Sequence, residues 1–370
     1  MNSSVVGRPV GGSAVPLSIL DFAMAGRGVS AREALSDSIK LAKLVDRRGF
    51  SRYWVAEHHG MPGVTTSSPA MLLARLVPET RRVRLGAGGM MLPNFPPLVV
   101  AEQFGLLESF APGRIDLGIG RAPGTDWATA SALRRGQIGA EDFPSQLGEL
   151  LAFLDADFPS DHVYSKEGVH AVPGPVQDQE NGIARSFARP PVWLLGSSDY
   201  SARLAARLGF PFAFAAHLAD ENVMVALDVY RRNFTPSEVL DRPYVICSFG
   251  VMAADDPSQA KRQAWAYSHA MMRMSMRRSF VVPTPEEAET YQYSGAEARA
   301  IHMWNNKILV GTGEEVKQRL ETWRNRLAAD ELMILNLGHS QAAIYRSTEL
   351  IADAYGMPTD CTSSQRSGAV

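Results

Sequence analysis

The first third of the chain alternates between short apolar runs and longer segments with helical spacing of apolar residues. The short runs PLSILD, YWVAE, VRLGAGGM and RIDLGIG are typical of buried strands. Gly49 ends the first helical segment. Strands that alternate with helices of this length predict a parallel sheet with crossover helices. The helical segments are Arg32–Arg48, Pro69–Val77 and Leu98–Phe110.

The same alternation continues after a long interruption, Ala122–Pro191, which contains two helix-like stretches and a loop rich in Pro and Gly. Four more strands are predicted at VWLLG, PFAFAAHL, YVICSFGVMAA and LMILNL, each followed by a helical segment. A second long insertion, Ser258–Lys307, follows the seventh strand. Eight strands predict an α/β fold, one (β/α)8 TIM barrel with insertions after strands 4 and 7. An open doubly wound sheet is the alternative, disfavoured by the strand count and by the lack of an early G-x-G-x-x-G.

Length and composition indicate a soluble globular protein of one large domain or two smaller ones. The chain has 370 residues, of which 45% are hydrophobic, and its formal charge of −2 gives no reason to expect nucleic acid or a membrane as partner. No apolar run approaches the roughly 18–20 residues of a membrane span. We expect one domain at 15–357, with flexible tails at 1–14 and 358–370. The N-terminal tail lacks a signal-peptide pattern. Cys247 falls in a predicted strand and Cys361 in the C-terminal tail, so we do not expect them to form a disulfide. Both observations predict a cytoplasmic protein.

The stretch YWVAEHHGMPG carries chemistry to the end of the second strand. Active sites of such barrels lie at the carboxyl ends of the strands, where Glu57, His58 and His59 are expected. A metal, a proton transfer or plain packing would each explain these residues. Adjacent residues on a strand point to opposite faces, so the two histidines cannot easily bind one ion. A hydrolytic metal site would also need more His and carboxylate ligands, so the sequence disfavours a metal.

The segment GSSDYSARLAARLG predicts an anion site at the start of the helix after strand 5. Ser197, Ser198 and Ser201 place hydroxyls beside the free backbone N–H groups of the first helical turn. Arg121, at the exit of strand 4, adds a guanidinium that suits phosphate. The alternative is that these serines only cap the helix.

Two consecutive glycines, Gly88 and Gly89, occur in the third strand. Glycine in a strand gives up side-chain packing, and at a barrel mouth it lets a planar ligand lie against the main chain. A β-bulge is the alternative explanation.

The insertion after strand 7 is rich in Met and aromatic residues, which adapt to irregular shapes and suit a lid over a pocket. A buried helix pair would explain the same composition. With Phe22, Phe95 and Trp127, this insertion predicts a roomy apolar pocket for an aromatic or long aliphatic substrate.

Three motifs together give a specific resemblance. They are YWVAEHHGMPG, LGAGGMMLPNFPPLVVAEQFGLLESFAPGRIDLGIGRAPGTD and LLGSSDYSARLAARLGFPFAFAAH. In this order they resemble the bacterial-luciferase-like flavin monooxygenases, and the match covers nearly the whole barrel. The GRAPGTD variant is similar to a branch that includes tailoring oxygenases of polyketide pathways, which belong to secondary metabolism.

The resemblance implies a two-component enzyme in which a separate reductase supplies reduced FMN. It implies that Arg121, Ser197, Ser198 and Ser201 hold the phosphate, and that a cis peptide at Gly88-Gly89 lies beneath the isoalloxazine. His58 matches the catalytic histidine, with Glu57 beside it to orient it or to pair with a neighbour. The family also implies a homodimer that forms through the helices after strands 2 and 3. The full predicted flavin site is Gly88, Gly89, Met90, Gly120, Arg121, Gly196, Ser197, Ser198 and Ser201.

Two positions depart from the luciferases themselves. Gly120 stands where they have a cysteine beside the flavin, and Ser197 stands where they have a glutamate. The resemblance therefore implies an FMNH2- and O2-dependent monooxygenase, acting through a flavin C4a-hydroperoxide on an apolar small molecule, without implying light emission. The alternatives are an F420-dependent hydride-transfer enzyme on the same barrel and a non-enzymatic flavin-binding protein.

Overall fold

The computed structural model describes residues 15–133, 142–183 and 187–359, and it contains a closed parallel barrel. Eight strands form the ring β1-β2-β3-β4-β5-β6-β7-β9, which closes between β9 and β1, so the predicted (β/α)8 fold is confirmed. The strands of the described chain are Leu17–Asp21 (β1), Arg52–Val55 (β2), Arg84–Met91 (β3), Ile115–Gly120 (β4), Val192–Gly196 (β5), Phe212–Phe214 (β6), Val245–Ala253 (β7), Ile308–Gly311 (β8) and Glu331–Asn336 (β9).

Strand β8 lies outside the ring and was not predicted. It pairs with the last four residues of β7, from Gly250 to Ala253, whereas β9 pairs with β7 from Ile246 to Val251. The sequence pattern missed it because its four residues, ILVG, directly precede the GTGEEV segment that opens the next helix.

The helices begin and end at residues that suit helix termini. Ser30 and Glu33 form a capping box at the start of α1 (Ala31–Arg48), and Gly49 ends this helix in a left-handed conformation.

The insertion after β7 consists of three helices, α10 (Pro257–Ser275), α11 (Pro285–Thr290) and α12 (Gly295–Asn305). The helices are Ala31–Arg48 (α1), Pro69–Leu76 (α2), Pro97–Phe110 (α3), Trp127–Leu133 (α4), Phe143–Asp155 (α5), Val163–Lys166 (α6), Pro175–Glu180 (α7), Asp199–Leu208 (α8), Val223–Arg232 (α9), Pro257–Ser275 (α10), Pro285–Thr290 (α11), Gly295–Asn305 (α12), Gly313–Leu327 (α13) and Gln341–Ala354 (α14).

A buried ionic network fills the amino-terminal end of the barrel. Arg52 donates from Nη1 to Asp116 at 2.7 Å and contacts Glu331 through Nε at 3.0 Å, and all three side chains are fully buried. Arg84 adds a second guanidinium to Asp116 at 2.7 Å. Burial would raise the pKa of Asp116, but the charges of Arg52 and Arg84 outweigh it and lower this pKa. Arg52, Arg84 and Glu331 begin their strands and Asp116 is second in its strand, so the network lies at the end of the barrel opposite the strand exits.

Parts of the sequence predictions lie outside the described residues. These are the tail at 1–14, Cys361 and all but the first two residues of the tail at 358–370. Cys247 is buried in β7 as a free thiol. Among the helices of the described ranges, none combines the length and apolar character that crossing a membrane requires.

Candidate active site

A cavity of about 1080 Å³ opens at the carboxyl ends of the barrel strands. Its wall comes from the exits of β1 to β6 and from the second half of α10. The barrel therefore brings together residues that are far apart in sequence. The predicted site residues that line it are Phe22, His58, Gly88, Gly89, Gly120, Arg121, Trp127, Gly196, Ser197, Ser198 and Ser201.

Three predicted site residues do not line the cavity. Met90 is 1% exposed and packs in the core, because side chains alternate along β3 and Met91 takes the cavity side. Phe95 packs against the core after the short turn that ends β3, so its placement in the substrate pocket needs correction. Glu57 is fully buried beneath the site.

His58 lines the cavity with a fixed ring orientation. Its Nδ1 lies 3.0 Å from the carbonyl oxygen of Gly124, so Nδ1 carries the proton in the neutral ring and Nε2 is an acceptor. The edge of Phe22 packs against this ring, with the ring centres 5.1 Å apart. Burial lowers the pKa of His58. A neutral imidazole with a free acceptor nitrogen is therefore available in the cavity near neutral pH.

The side chains of Glu57 and His59 point away from His58 and bond to each other beneath the cavity. Glu57 accepts from the backbone N–H of Met91 and from the amide of Asn94, both at 2.8 Å, and its other contact is His59 Nε2 at 2.9 Å. Burial raises the pKa of Glu57, while these hydrogen bonds oppose the rise. Glu57 thus joins the end of β2 to the end of β3, and its neighbour in the pair is His59 rather than His58.

A second histidine, His217, lines the cavity after β6. Ser248 donates to the carbonyl of Phe214, so its hydroxyl accepts from His217 Nδ1 at 2.8 Å and leaves Nε2 as an acceptor. Burial lowers the pKa of His217 to about 4. Phe22 lies between the two histidines, 6.4 Å from His217 and 5.1 Å from His58. His217 stands at the end of the predicted sixth strand, PFAFAAHL, so the sequence placed it at a strand exit but assigned it no role in the site.

The start of α8 offers polar groups that have no partner in the described structure. Ser198 is the residue preceding the helix, and its side chain makes no capping bond, so the capping explanation of these serines does not hold for it. Asp199 in the first turn is turned to Arg203, 3.2 Å away. Arg121 stacks over the ring of Tyr200 at 4.1 Å and has no acidic partner among the described residues. Hydroxyls, free N–H groups and one guanidinium therefore meet at one end of the cavity.

The peptide bond between Gly88 and Gly89 is cis, as the resemblance implied. The pairing of β3 with β4 also shifts register between Ala87 and Met90, so a bulge and a cavity wall coincide at the two glycines. A Cβ added at Gly89 would lie 3.0 Å from the carbonyl oxygen of Gly118 and 3.1 Å from Leu195. The missing side chain therefore makes room for neighbouring strands as well as for a ligand.

The insertion after β7 supplies much of the apolar wall. Tyr267, Met271 and Met274 of α10 and Phe280 beyond it line the cavity opposite the strand ends. Trp127 stands at the rim and is 84% exposed. The sequence singled out the Met-rich segment, but not which of its residues face the cavity, nor that Arg277 and Arg278 follow them there.

Comparisons with known proteins agree with this geometry. Residues 16–330 match the family described as luciferase-like monooxygenase. The uncharacterised protein YvbT of Bacillus subtilis (strain 168) is 41% identical over 339 residues, covering 92% of this chain and 96% of that protein. A luciferase-like monooxygenase of Escherichia coli (strain K12) is 39% identical over 340 residues, with the same coverage. The crystal structure of apo-MsnO8 superimposes with a TM-score of 0.78 at 31% identity, covering 93% of this chain and 98% of that one. The chain therefore belongs to the luciferase-like monooxygenase family of oxidoreductase enzymes.

Proposed function

We propose that this enzyme is an FMNH2- and O2-dependent monooxygenase of an apolar small molecule, with reduced FMN supplied by a separate reductase. The observation that carries the proposal is the division of the cavity. One end holds the unpartnered polar groups of α8 and Arg121, and the rest is walled by apolar side chains around His58. An elongated ligand with one phosphate and one flat ring fits this division.

The residues present fit FMN. Arg121 and the hydroxyls of Ser197, Ser198 and Ser201 would hold the phosphate, since a guanidinium and helix-start N–H groups both favour dianions. Gly88 and Gly89 would lie against the ring, where no side chain intervenes. When bound, reduced FMN would supply oxygen activation, by the C4a-hydroperoxide chemistry that the resemblance implies.

The protein's own contribution would be proton control and exclusion of water. His58 is held neutral by burial, and its Nε2 is free to accept a proton and return it. The carbonyl of Gly124 accepts from Nδ1 and so fixes the His58 ring. A proton taken up by the ring would therefore be held at Nε2. Phe22, Met271 and Met274 give the cavity apolar walls that keep water from the reacting centre.

Removing Arg121 tests the phosphate site directly. Arg121→Ala removes a charge-assisted bond worth roughly 1.5–3 kcal/mol, so affinity for reduced FMN should fall about 10- to 100-fold. Riboflavin lacks the phosphate and should bind the variant and the wild type alike. Arg203→Ala, on α8 and paired with Asp199, is the control and should leave both affinities unchanged. An equal loss for both flavins in Arg121→Ala would contradict the proposed phosphate site.

Turnover separates the proposed function from its alternatives. The full chain is incubated with FMN, a flavin reductase, NADH and O2, and in parallel with reduced F420 under the same conditions. Spectra of an oxygenated flavin and substrate-dependent consumption of O2 are expected with FMN. Reaction with F420 but not with FMN and O2 would replace the proposal with hydride transfer. Tight binding of oxidised FMN without turnover would indicate a flavin-binding protein.

A further inference from the structure

The segment that follows α10 lies across the cavity from the proposed phosphate site. The carbonyl of Phe280 accepts from the N–H of Gly63, after β2, at 2.9 Å, and the carbonyl of Val282 accepts from Arg27, after β1, at 2.8 Å. In the ring, β1 and β5 are four strands apart in either direction. Arg277 lines the same cavity three residues before Phe280, so its backbone is close to this anchored segment and across the ring from the exit of β5, which precedes Ser197 and Ser198.

Arg277 occupies a backbone position that normally suits glycine. The N–H of Arg278 bonds to the carbonyl of Arg273 at 2.9 Å, and the N–H of Arg277 bonds to Met274 at 2.9 Å, which is the Schellman pattern of a helix end. In that pattern the residue at this position is left-handed, and Arg277 has φ +56°. Arginine stands here although glycine would be less strained, and such strained positions concentrate at functional sites.

The charge of Arg277 has no counterion within the described parts of the chain. The neighbouring Arg278 is neutralised by Glu297 at 2.9 Å. Of the described side chains that line the cavity, Asp126 is the one carboxylate. Its oxygens bond to the backbone of Ala128 and to Thr129 in the first turn of α4. The apolar cavity therefore has a positively charged group at each end, and the proposed FMN phosphate would neutralise one of them.

We infer that the substrate carries an anionic group, a carboxylate on an apolar body, which Arg277 binds at the rim beside β1 and β2. The apolar part would then lie along Tyr267, Met271 and Phe280 toward His58. A guanidinium binds carboxylate with paired hydrogen bonds, which fixes which end of the substrate enters the cavity. The inference rests on the proposed function and extends it to the substrate class.

Two probes of equal chain length test the inference. Decanoate and decanamide differ in charge but share the apolar chain, and their affinities for the full-length protein are measured by calorimetry, with and without FMN. Wild type should bind decanoate at least about 10-fold more tightly than decanamide. Arg277→Gly should abolish this preference without lowering the melting temperature, because glycine tolerates the left-handed backbone. Arg277→Lys should retain part of it.

Arg273→Gln is the matched control, since it removes a charge one turn earlier on α10, from a residue that lines a separate, smaller cavity. It should keep the full preference for decanoate.

Equal binding of the two probes by wild type, or an unchanged preference in Arg277→Gly, would overturn the inference. So would weaker binding of FMN but not of riboflavin to Arg277→Gly, because that result assigns Arg277 to the flavin phosphate. Failure of the protein to bind or turn over reduced FMN would refute the proposed function while leaving a measured preference for decanoate intact.

Discussion

His58 and His59 are adjacent in sequence but have opposite environments. His58 lines the cavity and bonds to a backbone carbonyl, whereas His59 bonds to the buried carboxylate of Glu57. The alternation of side chains along an extended backbone explains the separation. A role in proton transfer therefore belongs to His58 in our proposal, and a structural role belongs to the pair of Glu57 and His59.

The variant His58→Asn isolates the proton-carrying nitrogen. The asparagine amide lies near the position of Nδ1 and keeps a donor for Gly124, but nothing replaces Nε2. Turnover should fall about 10²- to 10⁴-fold, with FMN affinity changed far less and more hydrogen peroxide released without product. Substrate oxidation and peroxide release are measured side by side, with His59→Ala as control, which should mainly lower the melting temperature. Wild-type rate and coupling in His58→Asn would exclude the proton role.

The buried His217 should make stability depend on pH. Its pKa falls from 6.5 to about 4 on folding, so the unfolded chain binds the proton more readily between those values. Stability should therefore decrease as pH falls through this window, by up to about 1.4 kcal/mol per pH unit from this group. His217→Asn retains a donor for Ser248 but cannot titrate, so urea unfolding from pH 7 to pH 4 should show a shallower loss. Equal slopes in variant and wild type would mean that His217 does not titrate as its burial predicts.

At the scale of elements, strands β3 and β4 approach each other through glycines. A Cβ at Gly118 would lie 2.1 Å from the carbonyl oxygen of Ala87, and a Cβ at Gly86 would lie 2.8 Å from the Cβ of Asp116. These glycines permit close strand packing beneath the cavity floor. The two glycines of the cis peptide therefore belong to a wider region where small residues are required by the barrel itself.

A pair of glycine substitutions tests this packing. Gly118→Ala should lower the free energy of unfolding by about 1–3 kcal/mol or more, since backbone atoms cannot move aside easily. Gly148→Ala is the control, because no atom lies within 4 Å of its added Cβ and it is inside α5, where alanine is favoured by up to about 1 kcal/mol. Chemical denaturation of both variants gives the two values. A neutral Gly118→Ala would show that β3 and β4 can separate at this point.

At the scale of the whole molecule, α2 and α3 carry several exposed apolar side chains. Val99, Leu106 and Phe110 recur at helical spacing along α3, with Phe110 62% exposed, and Met71 of α2 is 76% exposed. These helices follow β2 and β3, the side on which the resemblance implies pairing. We therefore propose that this face forms an isologous homodimer contact.

Charge placed on this face should separate the subunits. Wild type is expected to sediment as a dimer at micromolar concentration, and Phe110→Glu should shift it to the monomer by burying an unpaired carboxylate. Val225→Glu, on the exposed side of α9 and 61% exposed, is the control and should leave the dimer intact. A monomeric wild type, or equal dissociation in both variants, would remove this face as the contact.

The sequence by itself determined the barrel, and it predicted many of the residues that line the cavity. Alternating periods identified the eight strands of the ring, because a strand and a helix bury their apolar residues at different spacings. Strand ends then pointed to His58, Arg121 and the serines before α8, since a parallel barrel gathers its strand exits at one mouth. Gly88 and Gly89 were identified in the same way, because they lie toward the end of the third predicted strand.

The tertiary structure alone decided which neighbour each side chain meets. Nothing in the local pattern distinguishes Met90 from Met91, or places Phe95 against the core, because pleat and turn geometry set those directions. The ionic network of Arg52, Asp116 and Glu331 joins residues from three strands, so it depends on contacts between distant parts of the chain. Arg277 reaches the cavity because its segment is anchored to loops after β1 and β2, more than 200 residues earlier in the chain. The spacing of apolar residues and the composition of a segment are local properties of the sequence. The bonding partner of a side chain, its burial and the balance of charge around it are decided only when distant segments of the chain meet.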